Sequence, residues 1–122
     1  MAIRSSLAMV AEALARVRSL DMDAARAWIA SADVLIVDLR EGEEIDEGMI
    51  EGAVHVPRGL LEFVADPASP LYNPQFSEDR PILLYCAVGG RSALGAVTLM
   101  EMGYTDVAHL GCGIAGLGEE WD

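Results

Sequence analysis

The stretch 81–102 constrains this chain more than any other, because a short apolar run, a cysteine, a glycine pair and a long apolar helical segment follow one another without a break. Proline is tolerated in a sheet as a first strand residue, and Ile82 to Tyr85 after Pro81 form the continuous apolar run of a doubly covered strand. From Ser92 the sequence SALGAVTLM predicts a helix with almost no polar face. Both elements read as buried. The turn between them, Cys86-Ala87-Val88-Gly89-Gly90-Arg91, has glycines where the backbone must bend tightly, so successive N–H groups point inward as an anion-binding nest at a helix N-terminus. Cys86 faces that nest in this reading. Amide donors and the positive helix end favour thiolate over thiol, which makes a nucleophile at neutral pH. Arg91 opposes the macrodipole in the first helical turn, a position that suits an anionic substrate better than it suits stability. The competing reading is that Cys86 is a small apolar strand end and Arg91 is solvated.

The 122 residues suit one domain, and no linker or repeat divides them. Eight basic against twenty acidic residues leave a net charge of −12, which argues against nucleic acid or anionic membrane as partners. No apolar run reaches the roughly 18 residues of a membrane span. Two cysteines, Cys86 and Cys112, do not make a secreted disulfide framework, so a reducing cytoplasmic setting is expected. Residues 1–20 are acid-poor, like a transit peptide, yet Leu7, Val10, Leu14 and Val17 fall on one helical stripe. The expectation is therefore a helical extension over 1–16 that docks on the main domain or a partner, followed by the domain proper over 17–122.

Within that domain the pattern alternates. Strands are predicted near Val17–Leu20, Val34–Asp38, Ala53–Val56, Ile82–Tyr85 and Val107–Leu110. Helices are predicted from a cap at Asp21 or Asp23 through Ile29, near Glu43–Glu47, near Gly59–Val64 and from Ser92. Residues 66–80, with three prolines, read as a surface loop. Such alternation means an α/β fold, a parallel sheet flanked by helices, whose ligands bind beyond the carboxyl ends of the strands. Arg40, Arg58, Cys86 with Arg91, and Gly111-Cys112-Gly113 all follow strands, so several cations gather at one edge of an acidic protein. Arg40 is expected to pair with Glu43 or Glu44, and Arg58 either pairs or binds substrate. His55 and His109 lie in strands without metal-ligand spacing and are read as core or edge residues, so no metal site is proposed. The acidic run 41–47 is read as a solvated helix face.

Cys86-Ala-Val-Gly-Gly-Arg91-Ser92 resembles the Cys-x-x-Gly-x-Arg-Ser loop of the rhodanese family of sulfurtransferases. Val34-Leu-Ile-Val-Asp38-Leu-Arg40-Glu41 resembles that family's strand with Asp-x-Arg. Glu43-Glu44-Ile45 with Gly48-Met-Ile-Glu-Gly52-Ala53-Val-His-Val-Pro57 resembles the next signature, and Leu110-Gly111-Cys112-Gly113-Ile114 its Gly-Gly-Ile turn. The resemblance runs from about Val17 to Asp122. It implies a rhodanese-like open parallel sheet of about five strands with helices on both faces, plus the extra N-terminal helix. It also implies that a Cys86 persulfide moves sulfane sulfur from a small anionic donor, such as thiosulfate or a persulfide, to a thiol or cyanide-like acceptor, or to a protein sulfur acceptor. Arg91 would orient the donor, the loop 87–90 (Ala87, Val88, Gly89, Gly90) would cradle it with Arg58, and Asp38 and Arg40 would act as scaffold. No cofactor beyond the persulfide is implied. Cys112 either fills a small-residue position or resolves the persulfide. Departures from the pattern are Met49 where histidine is common, Leu117 where tryptophan is common, and Cys112 for a glycine. The alternatives are a sulfur-carrier or partner-binding module, and a cysteine phosphatase, whose loops carry one residue more between Cys and Arg than the four found here.

Overall fold

The computed structural model describes residues 3–116, so Leu117 lies outside the described residues. In chain order the elements are α1 (Ser6–Arg16), β1 (Arg18–Leu20), α2 (Met22–Ser31), β2 (Leu35–Asp38), β3 (Val54–His55), α3 (Leu61–Val64), β4 (Ile82–Tyr85), α4 (Gly90–Met102) and β5 (Val107–Leu110). All strands pair in parallel, in the order β1-β5-β4-β2-β3. The expected open α/β sheet is present.

Side-chain alternation along the strands divides the core in two. Leu35, Val37, Ile82, Leu84 and Val107 face α3 and α4. Ile36, Leu83, Tyr85, Ala108 and Leu110 face α2. Helices therefore cover both faces, as a parallel sheet requires. Asp21 begins α2 by accepting the Ala24 N–H at 2.8 Å, and Ser5 caps α1 through Ala8 at 3.0 Å. Helix α4 ends on Gly103 at φ 113°, with the Tyr104 N–H reaching back to the Leu99 carbonyl, a Schellman closure.

Three expectations change. The helices predicted near 43–47 and 59–64 are short: a 3-10 turn over Glu44–Glu47, then a 3-10 turn over Arg58–Leu60 leading into the single turn of α3. Gly48 at φ 117° stops the first before a full α-turn can form. The stripe Leu7, Val10, Leu14, Val17 does not form the buried face of α1. That helix packs on α4 through Val10, Ala13 and Val17, and leaves Leu7 and Leu14 exposed. Ala13 is the buried residue of α1.

Candidate active site

Cys86 continues the alternation of β4, in which Ile82 and Leu84 turn toward α4, so its side chain heads under the helix N-terminus. It is fully buried there. Its Sγ accepts the backbone N–H of Gly89 at 3.2 Å and of Ser92 at 3.3 Å, and lies 3.6 Å from Ser92 Oγ. Gly89 makes this possible: at φ 100°, a left-handed angle that L side chains avoid, it turns the chain back over the sulfur. Of the loop residues named as a cradle, Gly89 alone among the described residues brings its N–H to the sulfur, and Ser92 supplies the second donor. Val88 stands at the tip, exposed.

A second turn braces the loop. The Ile114 N–H donates to the Cys86 carbonyl at 2.9 Å, and the Ala115 N–H to the Ala87 carbonyl at 2.9 Å. Gly113, at φ 69°, lies so near Ala87 that a Cβ there would run into its carbonyl. The turn that holds Cys112 thus meets the Cys86 loop, as the parallel sheet predicts. The two thiols face differently, however: both are free, Cys86 buried and Cys112 exposed beside Gly116.

The arginines are placed otherwise than expected. Arg40 clasps Asp38, donating from Nε at 3.1 Å and Nη2 at 2.7 Å, and not the carboxylates of Glu43 or Glu44. Its remaining donors go to the carbonyls of Glu44 at 3.2 Å and Gly48 at 2.7 Å, which fixes the 3-10 turn. The Glu44 carboxylate belongs instead to Arg91, in a fork of 2.6 and 2.8 Å. That pairing, helped by the Glu41 N–H, pulls the Glu44 carboxyl down to about 2 and raises Arg91 above its usual range. Arg58 bonds Glu62 at 2.9 Å and Thr98 at 3.0 Å. Thr98 lies six residues beyond Ser92, about 9 Å along α4, so Arg58 does not join the sulfur loop. Arg40, Arg58 and Arg91 are thus all paired within the fold, and of the two roles open to Arg58 the structure shows the pair.

Sequence reasoning missed two participants. Glu44 was read as part of a solvated face. His109, read as a core or edge residue, is fully buried and bridges Ser92 Oγ through Nδ1 at 2.8 Å and Ser19 Oγ through Nε2 at 2.8 Å. Burial lowers its pKa. Strand parity is the signal that could have found it, since His109 shares the α4 side with Val107.

On the α2 side a cavity of about 970 Å³ opens beside Ala87, lined by Ile29, Ile36 and Ile50 and by Arg40, Glu43, Glu47 and Glu51.

A Rhodanese-like domain model matches residues 21–120. The chain belongs to the rhodanese-like domain family. A sulfurtransferase of Allochromatium vinosum is 37% identical over 67% of this chain and 69% of its own length. The probable adenylyltransferase/sulfurtransferase MoeZ of Mycobacterium tuberculosis is 32% identical over 73% of this chain, but this chain spans only 21% of it. Among solved structures, a Rhodopseudomonas palustris protein of unknown function, described as a possible tyrosine phosphatase, is 40% identical over 100% of this chain and 96% of its own, with a TM-score of 0.91. The human single-domain sulfurtransferase shares the rhodanese-like fold at 22% identity, TM-score 0.70, over 87% of this chain and 99% of its own.

Two consequences are measurable. Glu44→Gln should cost about 1 kcal/mol, the usual ceiling for a partly exposed pair, or roughly 3–6 °C in Tm. Because the folded carboxyl sits at about 2, below its ordinary value, its contribution is present above pH 4.5 and disappears as pH falls toward 2. The gap in Tm between wild type and Glu44→Gln should therefore close over that window; a gap that widens on acidification contradicts the pairing. Gly113→Ala should be worse, since the left-handed angle alone costs about 1–3 kcal/mol and the new Cβ must displace the Ala87 backbone. Thermal melts should register that loss, and the amide resonances of residues 86–89 should shift with it.

Proposed function

We propose that this chain is a rhodanese-type sulfurtransferase working through a persulfide on Cys86. The Cys86 thiolate attacks the outer sulfur of a donor, the donor's S–S or S–SO3 bond breaks, and the leaving thiolate or sulfite carries off the electron pair. An acceptor thiolate then attacks the outer sulfur of the persulfide and returns Cys86 to thiolate. The observation that carries this reading is the pair of N–H donors from Gly89 and Ser92 on Cys86 Sγ. They favour negative charge on the sulfur, both before attack and when Cys86 is the leaving group. Membership among proteins described as sulfurtransferases supports the same chemistry.

A phosphatase reading draws on the Rhodopseudomonas palustris relative. Against it, the loop has four residues between Cys86 and Arg91. Its inward amides are spent on the sulfur, and Arg91 is held by Glu44. Arg91 as donor-orienting residue requires Glu44 to release it, and Glu43, Glu47 and Glu51 would repel a dianion that approached through the cavity beside Ala87. The preferred donor in this reading is a persulfide of low charge, with thiosulfate a poor one.

Incubation with a donor should add one sulfur to the intact mass, reversed by thiol, and Cys86→Ser should abolish the gain while the melt is preserved. Persistent sulfur uptake by the serine variant would sink the assignment; phosphate ester hydrolysis without sulfur uptake would favour the phosphatase.

If Glu43, Glu47 and Glu51 face the donor, the KM for thiosulfate should fall as ionic strength rises from about 0.01 to about 0.15 M, because screening relieves like-charge repulsion. Glu47→Gln and Glu51→Gln should flatten that dependence. A KM that rises with salt would mean that a free cation, not a carboxylate, meets the donor.

A further inference from the structure

Cys86 raises a problem of proton traffic. A fully buried thiol must lose its proton to become a nucleophile, and the two backbone N–H groups on Sγ are donors that cannot take it. Ser92 Oγ, at 3.6 Å, is the group beside the sulfur able both to accept and to pass on a proton. From Ser92 the hydrogen bonds continue to His109 Nδ1 at 2.8 Å and from His109 Nε2 to Ser19 Oγ at 2.8 Å. Ser19 is exposed on β1, the edge strand, while Ser92 and His109 are completely buried. The chain of groups thus runs from a sealed sulfur to solvent without a gap.

We propose that Ser92, His109 and Ser19 form a proton path that carries the Cys86 thiol proton to water. This rests on the reading of Cys86 as the nucleophile. In the thiol state S–H donates to Ser92 Oγ, Ser92 O–H donates to Nδ1, and Nε2–H donates to Ser19 Oγ. On ionisation each proton moves one place. The thiol proton goes to Ser92, the Ser92 proton to Nδ1, the Nε2 proton to Ser19, and the former Ser19 proton to solvent. One proton leaves, the thiolate remains, and the imidazole ends neutral as its other tautomer. The Ser92 hydroxyl then turns toward the sulfur or toward the Gly89 carbonyl at 3.2 Å. No buried imidazolium is needed, in keeping with a site where burial disfavours the charged ring.

The surroundings of His109 fit a relay better than an ion pair. From α4 it meets the Ser92 hydroxyl; Arg91, next to Ser92, is turned to Glu44. From β1 it meets Ser19, while Arg18 pairs with Asp106 and lies over Trp28. From β4 its register partner is Leu84, and Cys86 is the one titratable group its hydrogen-bond chain reaches among the described residues. Ser92 touches the reacting sulfur; His109 and Ser19 are positioning residues that act through it.

The test has two arms. In the first, single-turnover sulfur loading is followed by mass at neutral and alkaline pH. Ser92→Ala and His109→Gln should load about 10-fold or more slowly than wild type near pH 7, a modest share of the range for proton-transfer catalysis. Ser92→Thr, which keeps the hydroxyl, should stay within about 3-fold. Under conditions where thiolate absorbance shows Cys86 already ionised before the donor is added, all should converge. Equal rates near pH 7, or a deficit that persists where Cys86 is already ionised, overturns the path. The second arm needs no sulfur donor: the 15N shifts of His109 are followed while Cys86 is titrated by thiolate absorbance. The proton should pass from Nε2 to Nδ1 as the thiolate forms, and Cys86→Ala should hold one tautomer throughout. An unchanged tautomer across the titration overturns the path as well. Failure of wild type to take up sulfur would instead strike at the sulfurtransferase reading and leave the tautomer measurement to judge the relay.

Discussion

A sulfur atom sealed from water keeps a negative charge only where the protein supplies the donors that water would have supplied, and here that supply depends on the backbone angle of Gly89. At φ 100° the chain reverses over Cys86 and brings the amides of Gly89 and Ser92 to within 3.2 and 3.3 Å of the sulfur. The space into which it turns is bounded by backbone, since a side chain at Gly89 would come within 2.6 Å of the Gly111 carbonyl. From this one reversal follow the start of α4 at Gly90, the burial of Cys86 and the placing of Ser92 beside both sulfur and His109. The turn over 111–116 matters for the same reason: it holds the loop from its open side through two backbone hydrogen bonds.

Electrostatics around the loop are a matter of internal pairing more than of attraction. Asp38, Arg40, Glu44 and Arg91 form a continuous strut from the end of β2 through the 3-10 turn to the first turn of α4. Arg91 works against the helix macrodipole, and Glu44 offsets that cost by placing a carboxylate beside the same helix end. Glu43, Glu47 and Glu51 stay outside that strut and line the cavity together with Ile29, Ile36 and Ile50. The groups that contact the sulfur and the charged groups of the strut are therefore different ones.

How much was legible in the sequence varied with how local the cause was. The β4–loop–α4 unit could be read directly, because an apolar run, a cysteine and paired glycines each have one economical conformation and their order leaves little choice. The sheet and its two covered faces followed from alternation. Arg40 could not be assigned correctly, since Asp38, Glu43 and Glu44 all lie within reach and the choice is made by where β2 ends and how the 3-10 turn coils. Arg58 was left between pairing and substrate because one of its partners, Thr98, belongs to α4, 40 residues away. Periodicity put Leu7 and Leu14 on the buried stripe of α1, but the helix packs on α4 through Val10, Ala13 and Val17. His109 was half legible: parity gave its face, while its partners required the register that sets Ser19 and Leu84 on either side of it.

That register also governs when the site can exist during synthesis. Ser19 and His109 are 90 residues apart in the chain, and among the described residues β1 pairs only with β5, so a nascent polypeptide carries β1 unpaired until β5 has been made. Contacts of such separation form late, because loop-closure entropy must be met before they contribute. The turn over 111–116 emerges later still, so the Cys86 loop is without its brace until those residues have been made. Residues 107–116 thus complete the surroundings of a sulfur whose own hydrogen bonds they do not make.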